Sequence, residues 1–179
     1  MKPVINSVSA IKKFDLTNKV AIITGGAGFF GLQHAEAIAE MGGLPILFDI
    51  DEKVSKAQAK YINKYFDTSS IGMGVDITSP NQVCNASSEI IQKFGKIDIL
   101  INNAANNPKF NSSSTNSEQW SRLEHFSLDQ WNLDLSVGLT GAFLCSQTVG
   151  KHMAANNSGV ILNIASDLSV IGPDQRIYR

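Results

Sequence analysis

Short apolar runs and helix-like stretches alternate along nearly the whole chain, and no other feature of the sequence restricts its architecture as much. The runs lie at Val20 to Thr24, Leu44 to Asp49, Ile71 to Asp76, Ile97 to Asn102 and Val160 to Ile164, each the length of a buried strand. Between them Val54, Ala57, Tyr61 and Tyr65 recur at steps of three and four, as do Val83, Ala86, Ile90 and Phe94. That spacing predicts helices whose apolar stripes face a core. Their punctuation agrees. "SPNQ" offers Ser79 as N-cap, Pro80 at the first helical position and Gln82 where a capping box wants it, while Gly95 follows the last apolar residue. "SLDQ", Ser127 to Gln130, opens another helix in the same way. Strand and helix in strict alternation imply right-handed crossovers, hence a doubly wound α/β fold whose parallel sheet is covered on both faces.

Composition narrows the possibilities further. With 179 residues, 43% of them hydrophobic, the chain is long enough for one core. Met1 to Asn18 is mixed and aperiodic and reads as an N-terminal arm, leaving 19–179 as one domain; "NSSSTNS", Asn111 to Ser117, reads as a polar loop. A net charge of −1 supplies no basic stripe for nucleic acid. Cys84 and Cys145 are far apart and have no zinc-like neighbours, which suits free thiols in a cytoplasmic protein. The opening residues lack the apolar core of a leader, and nowhere do eighteen apolar residues run together, so no membrane association is expected. His34, His125 and His152 are scattered on presumed helices and read as exposed or packed, with no metal site implied.

In such a fold the first strand-to-helix turn, at the carboxyl ends of the strands, is the favoured phosphate site. Here that turn is "TGGAGFFG", Thr24 to Gly31. Glycine there permits a tight turn and brings backbone N–H groups close to a pyrophosphate, which also meets the positive end of the following helix. Gly26, Gly28 and Gly31 spell G-x-G-x-x-G after a strand and before a helix. Asp49 closes the second apolar run at the distance expected of an acidic residue that accepts from ribose hydroxyls. No arginine lies in "FDIDEKVSK", so a 2′-phosphate would meet repulsion and NAD is expected over NADP. Two plainer readings stay open: a loop that merely turns tightly, and Asp49 as a helix N-cap.

Together with these features, several separated motifs resemble the short-chain dehydrogenase/reductase superfamily, from about Phe14 to the last residue. "NNAA", Asn102 to Ala105, is similar to the family's N-N-A-G. "VDIT" is similar to the segment whose aspartate meets adenine, here Asp76 with Ile77 beside it. "VILNIASDLSVIG" is similar to the strand that carries the family's serine, here Ser166. The resemblance implies a Rossmann domain, incomplete at its C-terminal side, that binds NAD through Gly25, Gly28, Phe30, Gly31, Asp49, Asp76, Ile77, Asn103, Ala104 and Ala105. Asn103 would help hold the central sheet. It further implies catalysis in which a tyrosine acts as acid/base, a lysine lowers its pKa, and Ser166 holds the oxygen of a small-molecule alcohol or ketone. A phenol with a pKa near about 10 transfers protons poorly at neutral pH without a nearby ammonium, and a serine hydroxyl can donate to a developing alkoxide.

The sequence departs from the pattern at three places. Thr24, Gly25, Gly28 and Gly31 follow T-G-x-x-G-x-x-G, the spacing of the extended, often sugar-nucleotide-modifying subtype, with Phe29 where the compact subtype has glycine. In "VGLTGAF", Gly138 replaces the asparagine that commonly maintains a water and lysine relay; close backbone approach is one possible reason for a glycine there. No Y-x-x-x-K occurs: Tyr178 lies twelve positions after Ser166 but reads as a loop aromatic ahead of such a motif. These departures keep two alternatives to an alcohol-ketone oxidoreductase, namely a sugar-nucleotide epimerase or dehydratase and a non-catalytic NAD-binding module. The resemblance also implies a homo-oligomer, with Trp131, Phe143 and Leu144 as packing or subunit-contact residues. The fifth strand is expected to stand as an exposed apolar edge.

Overall fold

A computed structural model describes residues 10–106, 123–166 and 172. A short helix α1 (Ala10–Lys13) precedes β1 (Val20–Thr24), α2 (Phe29–Glu40), β2 (Leu44–Asp49), α3 (Glu52–Tyr65), β3 (Ile71–Gly74), α4 (Pro80–Phe94) and β4 (Ile99–Asn102). Later in the chain come α5 (Leu128–Leu135), a π-helical stretch Ser136–Gly141, α6 (Ala142–Ala155) and β5 (Val160–Asn163). The strands form one parallel sheet in the order β3-β2-β1-β4-β5, so the chain winds outward from β1 in both directions. This is the doubly wound fold that the alternation predicts, and it places the topological switch between β1 and β4.

Two apolar layers hold the sheet. On one face Ile22, Phe48 and Leu100 pack with Val83 and Ile90 of α4 and Cys145 and Val149 of α6. On the other, Ile23, Leu47 and Ile101 pack with Ala35 and Ala39 of α2 and Ala59 and Ile62 of α3. Burial pushes the Cys145 thiol up to about 12, so it packs as an unreactive apolar group. At the amino ends of the strands, Asp98 ties the entry of β4 to that of β1: it accepts from the Val20 N–H at 2.9 Å and from Lys19 Nζ at 3.2 Å, with Lys96 Nζ at 3.4 Å. Burial raises the pKa of this carboxyl, but the Val20 N–H and the two ammoniums outweigh it and leave Asp98 below the ordinary carboxylate value.

Helix α4 follows its sequence closely. Ser79 accepts from the Gln82 N–H, Pro80 opens the helix and Gly95 ends it at φ 78°. Val83, Ala86 and Ile90 are buried, with Phe94 packed beside them. Only the return limb of the capping box is missing, because the Gln82 side chain accepts from the Asp76 N–H instead. Ser127 caps α5 through the Gln130 N–H as expected.

Helix α3 overturns its predicted face. Val54, Ala57, Tyr61 and Tyr65 lie outward, Tyr65 being 60% exposed, while Ser55, Ala59 and Ile62 are buried. The reason is a close helix-sheet approach. A Cβ on Gly72 of β3 would overlap the backbone of Ser55, and the Ser55 hydroxyl donates to the Leu47 carbonyl at 2.8 Å. Small residues let α3 sit directly on the sheet, and the bulkier stripe turns to solvent, where Tyr61 and Tyr65 contact each other at 4.9 Å between ring centroids. Strands β3 and β4 are each two residues shorter than their apolar runs. All of β5 is exposed, as expected of an uncovered edge. The expected polar loop, Asn111 to Ser117, lies outside the described residues.

Candidate functional site

An open cleft of about 620 Å³ lies at the carboxyl ends of β1, β4 and β5. Thr24, Phe30 and His34 form one wall, Asn102 to Ala105 the floor, and Gly138, Ala142 and Asn163 to Ser166 the opposite side, with Ile77 at one end. The topology explains this convergence, since β1, β4 and β5 are neighbours and each ends on the same side.

The glycine turn is anchored on two sides. Gly26 donates to the Phe48 carbonyl at 3.0 Å, and Ala27 donates to Asp49 Oδ2 at 3.0 Å. Gly25 adopts φ 63°, and a Cβ there would come within 2.9 Å of Ala104 Cα; one on Gly26 would come within 2.8 Å of Leu47. A Cβ on Gly31 would run into the backbone of Gly25 and Gly26. Packing therefore demands glycine at these three positions. At Gly28 the constraint is milder, with only the Gly25 oxygen near, at 3.3 Å. Gly28 is also the N-cap of α2, with no side-chain cap and no acidic residue in the first turn. The unsatisfied N–H groups and positive end of α2 are thus left for an anion, a cradle that suits a pyrophosphate. Phe30, 68% exposed, borders it.

Asp49 is not a helix N-cap; Asp51 is, accepting from the Val54 N–H. Instead Asp49 holds the glycine turn through Oδ2 and accepts from the Asp51 N–H through Oδ1 at 3.1 Å. Asp76 follows β3, and Ile77 is buried and reaches the cleft. The post-β4 loop is fastened to β1: Thr24 Oγ1 accepts from the Asn103 and Ala104 N–H groups, each at 3.0 Å, and the Asn103 amide donates to the Thr24 and Gly25 carbonyls. These bonds bind β4 to β1 at the switch point and set Ala104 and Ala105 on the cleft floor. Ser166 lies on the far wall.

The cleft also contains residues to which the sequence reading gave no role in a site. Asn102 is buried and donates to Ser146 Oγ at 3.0 Å and Asn163 Oδ1 at 2.7 Å, so an amide pair joins β4 to β5. The in-register pairing of Asn102 with Asn163 was its only possible signal, and that register becomes visible only in the assembled sheet. His34 faces the cleft one turn after Phe30 and is the one ionisable side chain among its described lining residues. Gly138 is not a packing glycine: nothing lies within 4 Å of a Cβ built there, and it sits in the π-helical stretch facing the cleft. The close approach belongs to Gly141, whose Cβ would meet Ile77 Cδ1 at 2.6 Å. Tyr178 lies outside the described residues.

Comparison with known proteins matches residues 19–178 to the short chain dehydrogenase family. The chain belongs to the short-chain dehydrogenase/reductase family. Curated relatives within it include an NAD-dependent glycerol dehydrogenase of Listeria innocua, 32% identical over 93% of this chain and 59% of its own length. A D-threitol dehydrogenase of Mycolicibacterium smegmatis is 30% identical over 92% of this chain and 58% of its own. Among solved structures, an NAD⁺-bound xylitol dehydrogenase superimposes with a TM-score of 0.78 at 27% identity, over 91% of this chain and 58% of that one. The chain thus spans about three fifths of the length of these short-chain dehydrogenases. Among the described residues no group of His, Cys, Asp or Glu is placed to hold a metal ion, and no helix is long and apolar enough to cross a membrane.

Proposed function

We propose that this short-chain dehydrogenase is an NAD(H)-dependent oxidoreductase that interconverts an alcohol and a ketone on a small polyol-like substrate. The observation that carries the reading is the uncapped start of α2 behind Gly28, whose first turn lines, through Phe30, the same cleft as Asn103 to Ala105 and Ser166. The names of the relatives, a glycerol, a threitol and a xylitol dehydrogenase, support the substrate class.

In this reading Gly25, Gly28, Phe30 and Gly31 bring the backbone to the pyrophosphate, and Asp49 turns its carboxylate to the adenosine ribose, where a 2′-phosphate would be repelled. Asp76 and Ile77 take the adenine end, and Asn103, Ala104 and Ala105 border the middle of the dinucleotide. The bound nicotinamide supplies or accepts hydride. Ser166 donates a hydrogen bond to the substrate oxygen and so stabilises developing negative charge. The acid/base tyrosine and its lysine would come from a Y-x-x-x-K segment outside these 179 residues.

Fluorescence titration with NADH and NADPH tests the cofactor, with NADH expected to bind more tightly and Asp49→Ala expected to narrow the difference. Tighter NADPH binding by the unaltered protein overturns the NAD assignment. NAD reduction by the full-length protein with glycerol, threitol or xylitol tests the chemistry. Because Gly138 brings no side chain to the cleft, binding without turnover would favour a non-catalytic NAD-binding module.

A further inference from the structure

Strands β4 and β5 carry nearly the same pattern. Ile99, Leu100, Ile101 and Asn102 lie in register against Val160, Ile161, Leu162 and Asn163, so three apolar pairs are followed by one amide pair. Apolar pairs of this kind tolerate a slip, because Ile, Leu and Val are close in size. Burial does not forbid one either, since all of β5 is exposed among the described residues. A strand with neither face buried has a weakly specified register, and a shift of one residue turns every side chain to the other face.

The amide pair behaves differently. Asn102 is buried, and its Nδ2 donates to Asn163 Oδ1 at 2.7 Å and to Ser146 Oγ of α6 at 3.0 Å. Its Oδ1 is buried with no donor among the described residues. As a source of stability this is a poor arrangement, because an unpartnered buried carbonyl offsets much of what the two hydrogen bonds contribute. As a source of selectivity it is effective. Sliding β5 by one residue sets Leu162 or Ile164 opposite Asn102 and leaves the amide without Asn163, and fixing register is the best-attested use of a buried polar group. We propose that Asn102 and Asn163 are positioning residues that key the register of β5 on β4, with Ser146 holding the Asn102 amide, and that this key delivers Ser166 to the cleft. One further rung follows the key, from the Ile164 N–H to the Asn102 carbonyl at 3.0 Å, and Ser166 stands two residues beyond it. A slip of one residue would move Ser166 by about 3.3 Å and turn it away from the cleft. The delivery of Ser166 rests on its proposed hold on the substrate oxygen and deepens that reading.

Asn102→Leu with Asn163→Leu, made in the full-length protein, removes the key. Replacing both partners by apolar groups of similar shape is nearly neutral for stability, so the denaturation midpoint should hold. Deuterium exchange of the amides in 160–166 should nevertheless quicken at least about tenfold, and kcat should fall by about as much while NADH affinity stays within about threefold. Asn163→Asp, which keeps an oxygen for Asn102 Nδ2, should retain both protection and turnover. Unchanged exchange in the double leucine variant overturns the key. Exchange that quickens across the whole sheet with a lowered midpoint also overturns it, since that marks a pair that only stabilises. Faster exchange confined to 160–166 with unchanged kcat overturns the delivery of Ser166. If the unaltered protein turns over none of glycerol, threitol and xylitol, the reading of Ser166 falls, and the exchange measurement still decides the key.

Discussion

At Gly31 the first methylene of any side chain would meet the backbone of Gly25 and Gly26, so Gly31→Ala must push the glycine turn away from α2. We expect a loss of about 1–3 kcal/mol in stability, typical of overpacking, together with weakened NADH binding, checked by thermal melting and titration. Asp98 acts at the opposite end of the strands. Its folded-state pKa lies below the ordinary value, so its contribution is present above the unfolded-state pKa and is lost as pH falls through the folded one. Asp98→Asn should cost about 1–2 kcal/mol at pH 7. Its deficit relative to the unaltered protein should shrink below about pH 4, where the unfolded carboxylate protonates. Denaturation at both pH values checks the sign. Of the residues proposed for the site, the positions of the glycine turn and of Asp49 at its strand end were legible because a strand, a turn and a strand end are all local features. Asn102 and His34 were not, since each matters through neighbours from distant strands or loops.

Among the elements, α3 separates local pattern from tertiary choice. Two sets of residues on this helix satisfy helical spacing, and the sheet takes the one that begins with Ser55 because Gly72, lacking a Cβ, lets the Ser55 backbone lie directly against β3. Ile62→Ala should therefore destabilise the protein by about 2–5 kcal/mol. Tyr65→Ser, although it deletes far more apolar surface from the predicted stripe, should change stability by less than about 0.5 kcal/mol. Chemical denaturation of both variants tests the reversal. Helix α4 behaved otherwise, since its one apolar stripe and its capping residues admitted a single orientation. The break between α5 and α6 was hidden for another reason. The sequence "SVGLTG" carries no proline or other marker of a π-helical stretch, and Gly141 explains itself only by its contact with Ile77.

At the scale of the molecule, large apolar side chains stand exposed along α5, α6 and β5. No residue of α5 is buried; Trp131 is 53% and Phe143 58% exposed, and every residue of β5 is open. Both aromatics are more than half exposed, which favours the alternative that they contact another subunit. If the protein is a homo-oligomer through α5 and α6, Trp131→Glu with Phe143→Glu should weaken self-association at least about tenfold. Sedimentation velocity across a concentration series measures it, and an unchanged distribution would remove these residues from the interface.

The order of short runs and stripes was enough to determine a parallel α/β sheet and its glycine-rich turn, because strand length, helical period and chain connectivity are all written along one dimension. The buried face of α3, the joining of Asn102 to Asn163 and the openness of Gly138 were decided only by tertiary structure. Each depends on how closely two separately coded elements approach, and that distance is fixed by packing after the chain has closed on itself.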